Sequence, residues 1–167
     1  LFRSWSKDRL IPDCVRTCSK NKKLSIRNPN STRPWQHVLE VLYGYITLMN
    51  SLKKNNKLHG EVYNFGPSYN DRLKVLDVIK LMRLNWSKVK WKMTLHKNNF
   101  YESKLLFLNS NKAHKYLKWN CILKSKQSIK LTSEWYKSYY SKNKIKSNIT
   151  LDQIDFYEKI LKKKKKI

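Results

Sequence analysis

The entry into one long helix constrains the fold of this chain more than any other feature. The string Arg-Pro-Trp-Gln-His-Val-Leu-Glu, residues 33–40, leads into apolar positions that recur with helical spacing at 38, 41, 42, 45, 49 and 52. This spacing predicts an amphipathic helix over 38–52, one face of which needs a covering layer. Because proline fixes its own φ and suits the first turn of a helix, we expect Pro34 in that turn.

The same string places four functional groups where this helix begins: the guanidinium of Arg33, the indole of Trp35, the amide of Gln36 and the imidazole of His37. A helix N-terminus beside a guanidinium suits a phosphate or diphosphate, because its free N–H groups and dipole favour negative charge. An ordinary helix start whose indole packs inward would give the same string. The string alone leaves both interpretations open.

Helix and strand patterns alternate along the rest of the chain, which has no repeat and no linker. Helices are predicted over 9–18, over 125–140 and over 151–161, and the second of these should bury Ile129, Trp135 and Tyr139. Two more are predicted from their caps: Asn70 would cap a helix whose apolar face includes Val75, Ile79 and Met82, and Asn109 would cap one that carries Ala113, Tyr116 and Leu117. Strands are predicted over 24–27, 61–65, 89–95 and 105–108. The alternation indicates one α/β or α+β domain over 1–161, followed by a lysine-rich tail, 162–167, that we expect to be disordered.

The formal net charge of +26 raises a nucleic-acid-binding alternative. Lysine supplies 30 of the 37 basic residues and is spread along the whole chain, as is typical of solvated surfaces. Sites that read sequence use arginine heavily, because its planar fork forms bidentate hydrogen bonds. We therefore expect weak, salt-sensitive binding to polyanions and no specific nucleic acid, and keep a basic nucleic-acid-binding module as the alternative function.

Composition also bears on the compartment and on metal chemistry. No apolar run approaches the roughly 20 residues that span a bilayer, and the first ten residues carry four charges, unlike a signal peptide. Cys14, Cys18 and Cys121 lack the spacing of zinc or redox sites, and His96 and His114 have no partner spacing for a metal. We expect a cytoplasmic protein with reduced thiols, no metal site and no membrane contact.

Four strings, read in order, resemble one enzyme family. They are Asp-Arg-Leu-Ile-Pro-Asp at 8–13, Ile-Arg-Asn-Pro at 26–29, the string from Arg33 to Leu39, and Tyr-Asn-Phe-Gly-Pro at 63–67, with further matches at 110–113, 117–119, 134–136 and 150–154. Together they look like the carboxyl-terminal half of CDP-glucose 4,6-dehydratases, which belong to the extended short-chain dehydrogenase/reductase (SDR) superfamily. Residues 2–5 stand where the family has Gly-Gly-Asp-Trp, so we expect the chain to begin inside a longer reading frame.

The resemblance implies a partial extended SDR fold: a substrate-binding portion with a few strands and about five or six helices, without the Rossmann half. Family members use NAD to oxidise CDP-glucose at C4, eliminate water across C5 and C6 and return hydride to C6, giving CDP-4-keto-6-deoxyglucose. With three glycines in all, the chain cannot supply the glycine-rich turn that holds NAD. We expect no NAD on this chain alone and no catalytic residue in it, because the Tyr-x-x-x-Lys string at 140–144 lies too near the carboxyl end.

The resemblance also implies residues that bind CDP-glucose. Arg33 would contact the diphosphate, a role that its planar fork fits, with a surface salt bridge as the alternative. Asn64 would contact the nucleotide part, unless it only ends a strand. The other expected substrate-binding residues form three groups. Arg27, Arg9 and Asp8 would line the nucleotide side of the cleft, unless Arg9 and Asp8 only pair with each other. Trp35, Gln36 and His37 would be shaping residues, and Glu102 stands at a family acidic position.

The leading hypothesis is therefore a nucleotide-sugar-binding portion of a CDP-glucose 4,6-dehydratase-like enzyme that is inactive by itself. Its expected partners are CDP-glucose and either a separate amino-terminal Rossmann half or another copy of the chain. A portion that normally packs on a Rossmann sheet would expose apolar surface, and we expect this around 38–52 and 61–65.

Overall fold

The computed structural model describes residues 5–94, 105–141 and 148–165, and its elements follow the predicted alternation. The α-helices of this part are α1 (Leu10–Ser19), α2 (Val38–Leu52), α3 (Val75–Asn85), α4 (Asn111–Leu117), α5 (Ser125–Tyr140) and α6 (Ile149–Lys165). The strands are β1 (Leu24–Ile26), β2 (Thr32–Arg33), β3 (Leu73–Lys74) and β4 (Trp91–Met93). The predicted mixed class is confirmed, and no helix among these is long and apolar enough to cross a membrane.

Two short strand pairs bring distant segments together. β1 pairs with β4 in parallel, with Leu24 opposite Trp91. β2 pairs with β3 in antiparallel, with Arg33 opposite Leu73. In each pair one strand precedes α2 and the other follows it, so the segment between α1 and α2 is held in place by later parts of the chain.

The largest apolar core lies between α1, β1, α3 and α5. Its buried members are Ile11, Cys14, Val15 and Cys18 of α1, Leu24 and Ile26 of β1, Val78, Ile79 and Met82 of α3, and Ile129 and Tyr136 of α5, with Trp86 and Val89 beside them. The predicted apolar faces of these helices are therefore the ones that pack. The two cysteines of α1 are free, buried thiols, as expected.

Two smaller apolar clusters hold α2 against the second half of the chain. One consists of Leu58, Phe65, Ala113, Leu117 and Trp119 and packs against Tyr43, Leu48 and Leu52 of the helix. The other consists of Ile122, Leu123, Leu131 and Tyr157 and packs against Leu39 and Tyr43. The helix is thus covered on two sides, but its remaining face is not.

The predicted range of α2, 38–52, is confirmed, but the expectation that Pro34 lies in its first turn is wrong. The helix begins at Val38, and His37 is its N-cap, with Nδ1 accepting weakly from Leu39 N at 3.4 Å. The preceding backbone is engaged elsewhere, because Arg33 pairs in β2 and its carbonyl accepts from Trp35 N at 2.9 Å. Pro34 is therefore the central residue of a tight three-residue turn that precedes the helix.

The predicted cap at Asn70 is also wrong. That residue lies in a 3₁₀ turn, Tyr69–Asp71, which leads into β3, and β3 ends where α3 begins. The N-cap of α3 is Lys74, whose backbone N–H donates to the carboxylate of Asp77 at 3.4 Å. The helix starts later than predicted because the strand pairing occupies the backbone first.

Two predicted strands are absent from the part of the chain that the structure describes. Residues 61–65 form no strand, because a strand needs a neighbour for its hydrogen bonds and none of the described segments pairs with them. Residues 105–108 contribute one isolated bridge, between Leu105 and Thr32, and the leucines at 105 and 106 are about half exposed. The predicted strand over 89–95 is confirmed only as β4, and its last residue lies outside the described residues.

The remaining differences concern helix ends and surfaces. The N-cap of α4 is Ser110, although the Asn109 side chain does accept from Asn111 N at 2.9 Å. Tyr139, predicted as a buried residue of α5, is 45% exposed, whereas Tyr136 on the same helix is buried in the core. α6 continues to Lys165, four residues beyond its predicted end, and Lys164 Nζ donates to Ile122 O at 3.0 Å.

Candidate cleft for a nucleotide diphosphate

A cleft of about 770 Å³ opens where α1, β1, β2, α2 and α5 meet. Its polar lining includes six of the predicted site residues: Asp8, Arg9, Arg27, Arg33, Trp35 and Gln36. Its apolar floor is formed by Ile11, Ile26, Val38, Val41, Val75 and Ile129. The fold thus gathers residues from five separate stretches of sequence around one open cavity.

Arg33 is positioned by the β2–β3 pair. Its backbone lies opposite Leu73, and its Nη1 donates to Thr32 O at 2.8 Å. The start of α3 fixes the preceding turn, since Val75 N donates to Ser31 O at 2.9 Å. The guanidinium is therefore carried on a backbone that is tied to a helix and a strand, as a site that recognises a fixed ligand geometry requires.

Arg27 and Arg9 approach the same cleft from two other elements. Arg27 follows β1 directly, at the carboxyl end of a parallel strand, where ligands of α/β folds commonly bind. Arg9 is the N-cap of α1, and the chain turns into it through Asp8, which has the left-handed φ of 58° that Asp tolerates better than most residues. Asp8 and Arg9 are both exposed, and in the described chain they form no ion pair with each other.

Trp35 and Gln36 both line the cleft and anchor it to the rest of the fold. Trp35 is half-buried, and its Nε1 donates to Leu73 O at 3.1 Å, so the inward packing and the cleft-lining interpretations both hold. Gln36 Nε2 donates to Phe65 O at 2.8 Å, while its Oε1 is buried without a hydrogen-bond partner. These side chains form part of one wall of the cleft, and their role in binding a substrate stays a prediction.

His37 does not line this cleft. It is 5% exposed and faces a neighbouring cavity of about 240 Å³ between α2, α5 and α6. Burial disfavours the imidazolium and lowers the pKa of His37 from 6.5 to about 4. The ring is therefore neutral near pH 7, where its role is to cap α2.

Two further sequence matches, Asn64 and Tyr140, are not part of the cleft wall. Asn64 is exposed on the segment after the 3₁₀ turn Asn56–Leu58. Glu102 lies outside the described residues. Tyr140, the first residue of the Tyr-x-x-x-Lys string, ends α5 and stacks on Trp86 at 6.0 Å between ring centroids, whereas Lys144 is outside the described residues.

Sequence reasoning missed the contribution of α5 to the cleft. Ser128 and Thr132 line it, one helical turn apart, on the same face as the core residue Ile129. Polar residues four apart on an otherwise apolar helix face were the available signal. Thr132 Oγ1 donates back to the backbone oxygen of Ser128 at 2.8 Å, so the hydroxyl of Thr132 is satisfied within its own helix.

A second missed residue is Glu40, which is fully buried behind the cleft. Its carboxylate accepts from Ile122 N at 2.9 and 3.1 Å, from Leu123 N at 2.5 Å and from Tyr157 Oη at 3.1 Å. Burial raises the pKa of Glu40, and these hydrogen bonds oppose the rise. The only signal in the sequence was a carboxylate in the first turn of an apolar helix.

The cleft is suited to binding an anion and not to acid–base or redox chemistry. Its two carboxylates are Asp8 and Asp13, and Asp13 is paired with Arg16. No group of three or more His, Cys, Asp or Glu side chains that could hold a metal occurs among the described residues. A dinucleotide site needs a glycine-rich turn after a strand of a parallel sheet; here Gly44 lies within α2 and Gly66 against Leu108, so these residues do not fit NAD.

The chain is 35% identical over 135 residues to the CDP-glucose 4,6-dehydratase of Salmonella typhimurium strain LT2. The resemblance to CDP-glucose 4,6-dehydratases is thereby confirmed. The alignment covers 81% of this chain but only 38% of that enzyme, so the chain corresponds to a carboxyl-terminal segment of the family. No family model matches it.

Solved structures show the same fold class. The UDP-glucuronic acid 4-epimerase of Bacillus cereus, in complex with UDP-glucuronic acid and NAD, superposes with a TM-score of 0.66 at 19% identity, over 80% of this chain and 41% of that one. The dTDP-glucose 4,6-dehydratase of Bacillus anthracis, in complex with NAD, gives 0.58 at 21% identity, over 78% and 39%. The predicted partial extended SDR fold is thereby confirmed.

Proposed function

We propose that the cleft binds the diphosphate and nucleotide parts of CDP-glucose, as the substrate-binding portion of an enzyme that makes CDP-4-keto-6-deoxyglucose. A cavity of about 770 Å³ lies within the usual range, roughly 300–1,000 Å³, for small-molecule sites. The relative from Salmonella typhimurium carries the name of that activity.

One observation carries the proposal: the cleft selects arginine from a chain rich in lysine. Three of the seven arginines, Arg9, Arg27 and Arg33, line it, whereas none of the lysines within residues 5–94, 105–141 and 148–165 does. Lysine is found where solvation alone is required, while the guanidinium fork matches the paired oxygens of a diphosphate. The cleft is therefore distinguished from the general positive charge of the surface.

We further propose that these 167 residues have no dehydratase activity by themselves, because they do not fit the NAD that the first oxidation step requires. Production of keto-sugar by this chain alone, measured with added NAD and CDP-glucose, would overturn this. The expected result is no product above the level of a reaction without protein.

The binding proposal is tested by calorimetric titration of the chain with CDP and CMP at two salt concentrations. CDP is expected to bind more tightly than CMP, because only CDP offers a second phosphate. It is also expected to remain bound in about 0.5 M salt, where the Debye length is well below 10 Å and interactions between exposed charges are screened. Equal affinities, or CDP binding that disappears with salt as a polyanion's does, would favour the basic nucleic-acid-binding alternative. A single-stranded oligonucleotide in the same titration gives the comparison directly.

A further inference from the structure

A second cavity, of about 240 Å³, adjoins the nucleotide cleft. The start of α2 and turns of α5 and α6 bound it, and among the described residues only Val38 and Thr132 line both cavities. The three arginines of the cleft are absent from the described lining of this second cavity. The two cavities therefore lie side by side but differ in the groups that they offer to a ligand.

The walls of the second cavity are apolar, aromatic and uncharged. The rings of Trp135 and Tyr136 in α5 lie edge to face, 5.2 Å apart between centroids, and Ile154 of α6 lines the cavity with them. His37 is neutral near pH 7, because burial lowers its pKa to about 4. The chain has 37 basic and 11 acidic residues, yet the described lining contains no lysine, arginine, aspartate or glutamate. An ion entering the cavity would lose its hydration without gaining a partner, so the cavity selects an uncharged ligand.

One edge of the cavity is polar. His37 Nδ1 accepts from Leu39 N at 3.4 Å, so the proton of the neutral ring lies on Nε2 and makes that atom a donor. Gln153 Nε2 donates to a backbone carbonyl of α5 at 2.8 Å, which leaves the amide oxygen as an acceptor. Both side chains are more than nine-tenths buried, and Thr150 at the exposed mouth accepts from Trp135 Nε1 at 3.1 Å. A ligand hydroxyl, which both donates and accepts, matches this edge.

The volume of the cavity fits one six-membered ring. A dry apolar cavity of about 150 Å³ in another protein holds benzene, so about 240 Å³ accommodates a ring with one or two small substituents. This volume lies below the roughly 300–1,000 Å³ of drug-sized ligand sites, so a nucleotide does not fit. Trp135 and Tyr136 offer ring faces and edges against which an aromatic ligand packs favourably.

We propose that this cavity is a second ligand site, which binds a neutral aromatic compound with one ring and one hydroxyl group. The ring packs against Trp135 and Tyr136, and the hydroxyl lies at the polar edge formed by His37 and Gln153. A phenol is the simplest ligand of this class. The inference does not depend on the proposed function, because none of the arginines assigned to the diphosphate takes part in it.

The test is a titration of the isotope-labelled chain with p-cresol, a neutral methylphenol, followed by nuclear magnetic resonance. The reporter is the indole N–H of Trp135, because its hydrogen bond to Thr150 lies in the cavity wall. We expect a saturable shift of this signal with a Kd on the order of 1 mM or below. The absence of a saturable shift up to about 10 mM p-cresol would overturn the proposal.

Two compounds of similar shape test the chemistry of the site. Toluene lacks the hydroxyl, and p-toluate carries a carboxylate in its place. Each is expected to bind at least about 10-fold more weakly than p-cresol, since toluene leaves the polar edge unpaired and p-toluate buries a charge. Equal binding of the three compounds would overturn the proposal. So would tighter binding of p-toluate, which attraction to the positive surface alone would produce.

Contacts and matched variants locate the site. We expect nuclear Overhauser effects between the ring protons of p-cresol and the side chains of Trp135 and Ile154, and effects confined to other residues would overturn the proposal. Ile154→Phe fills the cavity and is expected to weaken binding at least about 10-fold. Leu151→Phe, on the same helix but 60% exposed and outside the lining, is expected to change the Kd less than about twofold. Equal effects of the two variants would contradict the assignment.

Saturating CDP separates this site from the cleft. p-Cresol is expected to stay bound in the presence of CDP, because the described walls of the two cavities share only Val38 and Thr132. Displacement of p-cresol by CDP would show one continuous site and would overturn the proposal. p-Cresol binding by a chain that does not bind CDP would overturn the proposed function alone, and CDP binding without p-cresol binding would overturn this inference alone.

Discussion

The buried carboxylate of Glu40 gives the sharpest prediction about stability. It accepts hydrogen bonds from the backbone of the segment that follows α4 and from Tyr157 of α6, so one side chain joins three separate parts of the chain. Replacing it with alanine leaves the N–H groups of Ile122 and Leu123 and the hydroxyl of Tyr157 without that acceptor. Each buried donor left unpaired costs about 1–3 kcal/mol, so we expect Glu40→Ala to lower the free energy of unfolding by about 3–5 kcal/mol.

Glu40→Gln separates the hydrogen bonds from the charge. Its amide oxygen can take the place of Oε1, which accepts from both backbone N–H groups, and its amide nitrogen can donate to the Tyr157 oxygen. We therefore expect Glu40→Gln to cost within about 1 kcal/mol. The two variants together measure how much of the effect belongs to the acceptor geometry.

The assay is urea unfolding followed by circular dichroism, with Glu134→Ala as the control. Glu134 is exposed on α5 and pairs with Lys130 at 3.8 Å, so its loss is expected to cost less than about 0.5 kcal/mol. In thermal melts, Glu40→Ala should lower Tm by roughly 10 °C for a chain of this length. A loss below about 1 kcal/mol for Glu40→Ala, or equal losses for the alanine and glutamine variants, would refute the reasoning.

Three further predictions concern pH and packing. Burial raises the pKa of Glu40, so its contribution to stability is present below the unfolded pKa and is lost as pH rises through the folded pKa. In urea titrations, wild type should therefore lose stability relative to Glu40→Gln between pH 4.5 and neutral pH. A constant difference between the two proteins would contradict this. The pKa of His37 is lowered from 6.5 to about 4, so its contribution to stability is present above pH 6.5 and falls by about 3 kcal/mol as pH drops to 4. His37→Asn, which keeps a cap, should remove this dependence of the free energy of unfolding on pH. An unchanged pH dependence would contradict the burial argument. Gly44→Ala should destabilise the protein by about 1–3 kcal/mol despite the better helix propensity of alanine, because the new Cβ meets the ring of Phe65 at 2.6 Å. Phe65→Leu in the same background should recover part of the loss. A Tm of Gly44→Ala above that of wild type would contradict this, because it would show that the ring moves freely.

The helices could be predicted from the sequence because their signals are local. The apolar period of 38–52 and that of 125–140 each lie within one element, and both helices form at those residues. The wrong starts have a tertiary cause: Pro34 is kept out of α2 by backbone pairing between residues 33 and 73, which no local pattern reveals. The strand predicted at 61–65 failed for the same kind of reason, since its β propensity is present but no described segment pairs with it.

The candidate site divides in the same way. Arg9, Arg27 and Arg33 could be named from motifs, and the fold brings them to one cleft. Ser128 and Thr132 could not, because their place in the cleft depends on how α5 packs with α1 and α3 in the core. Asn64 could be named from a motif of the same family, but the fold does not bring it to the cleft wall.

The affinity of the chain for CDP with and without the Arg33 guanidinium tests the central claim most directly. Titrations compare wild type with Arg33→Gln and with Arg83→Gln, a control at an exposed position of α3 outside the cleft. A charge-assisted contact to diphosphate contributes about 1.5–3 kcal/mol, so Arg33→Gln should raise the Kd for CDP by about 10- to 100-fold while Arg83→Gln changes it less than about twofold. Equal, small effects of the two substitutions would contradict the assignment of this cleft to a nucleotide diphosphate.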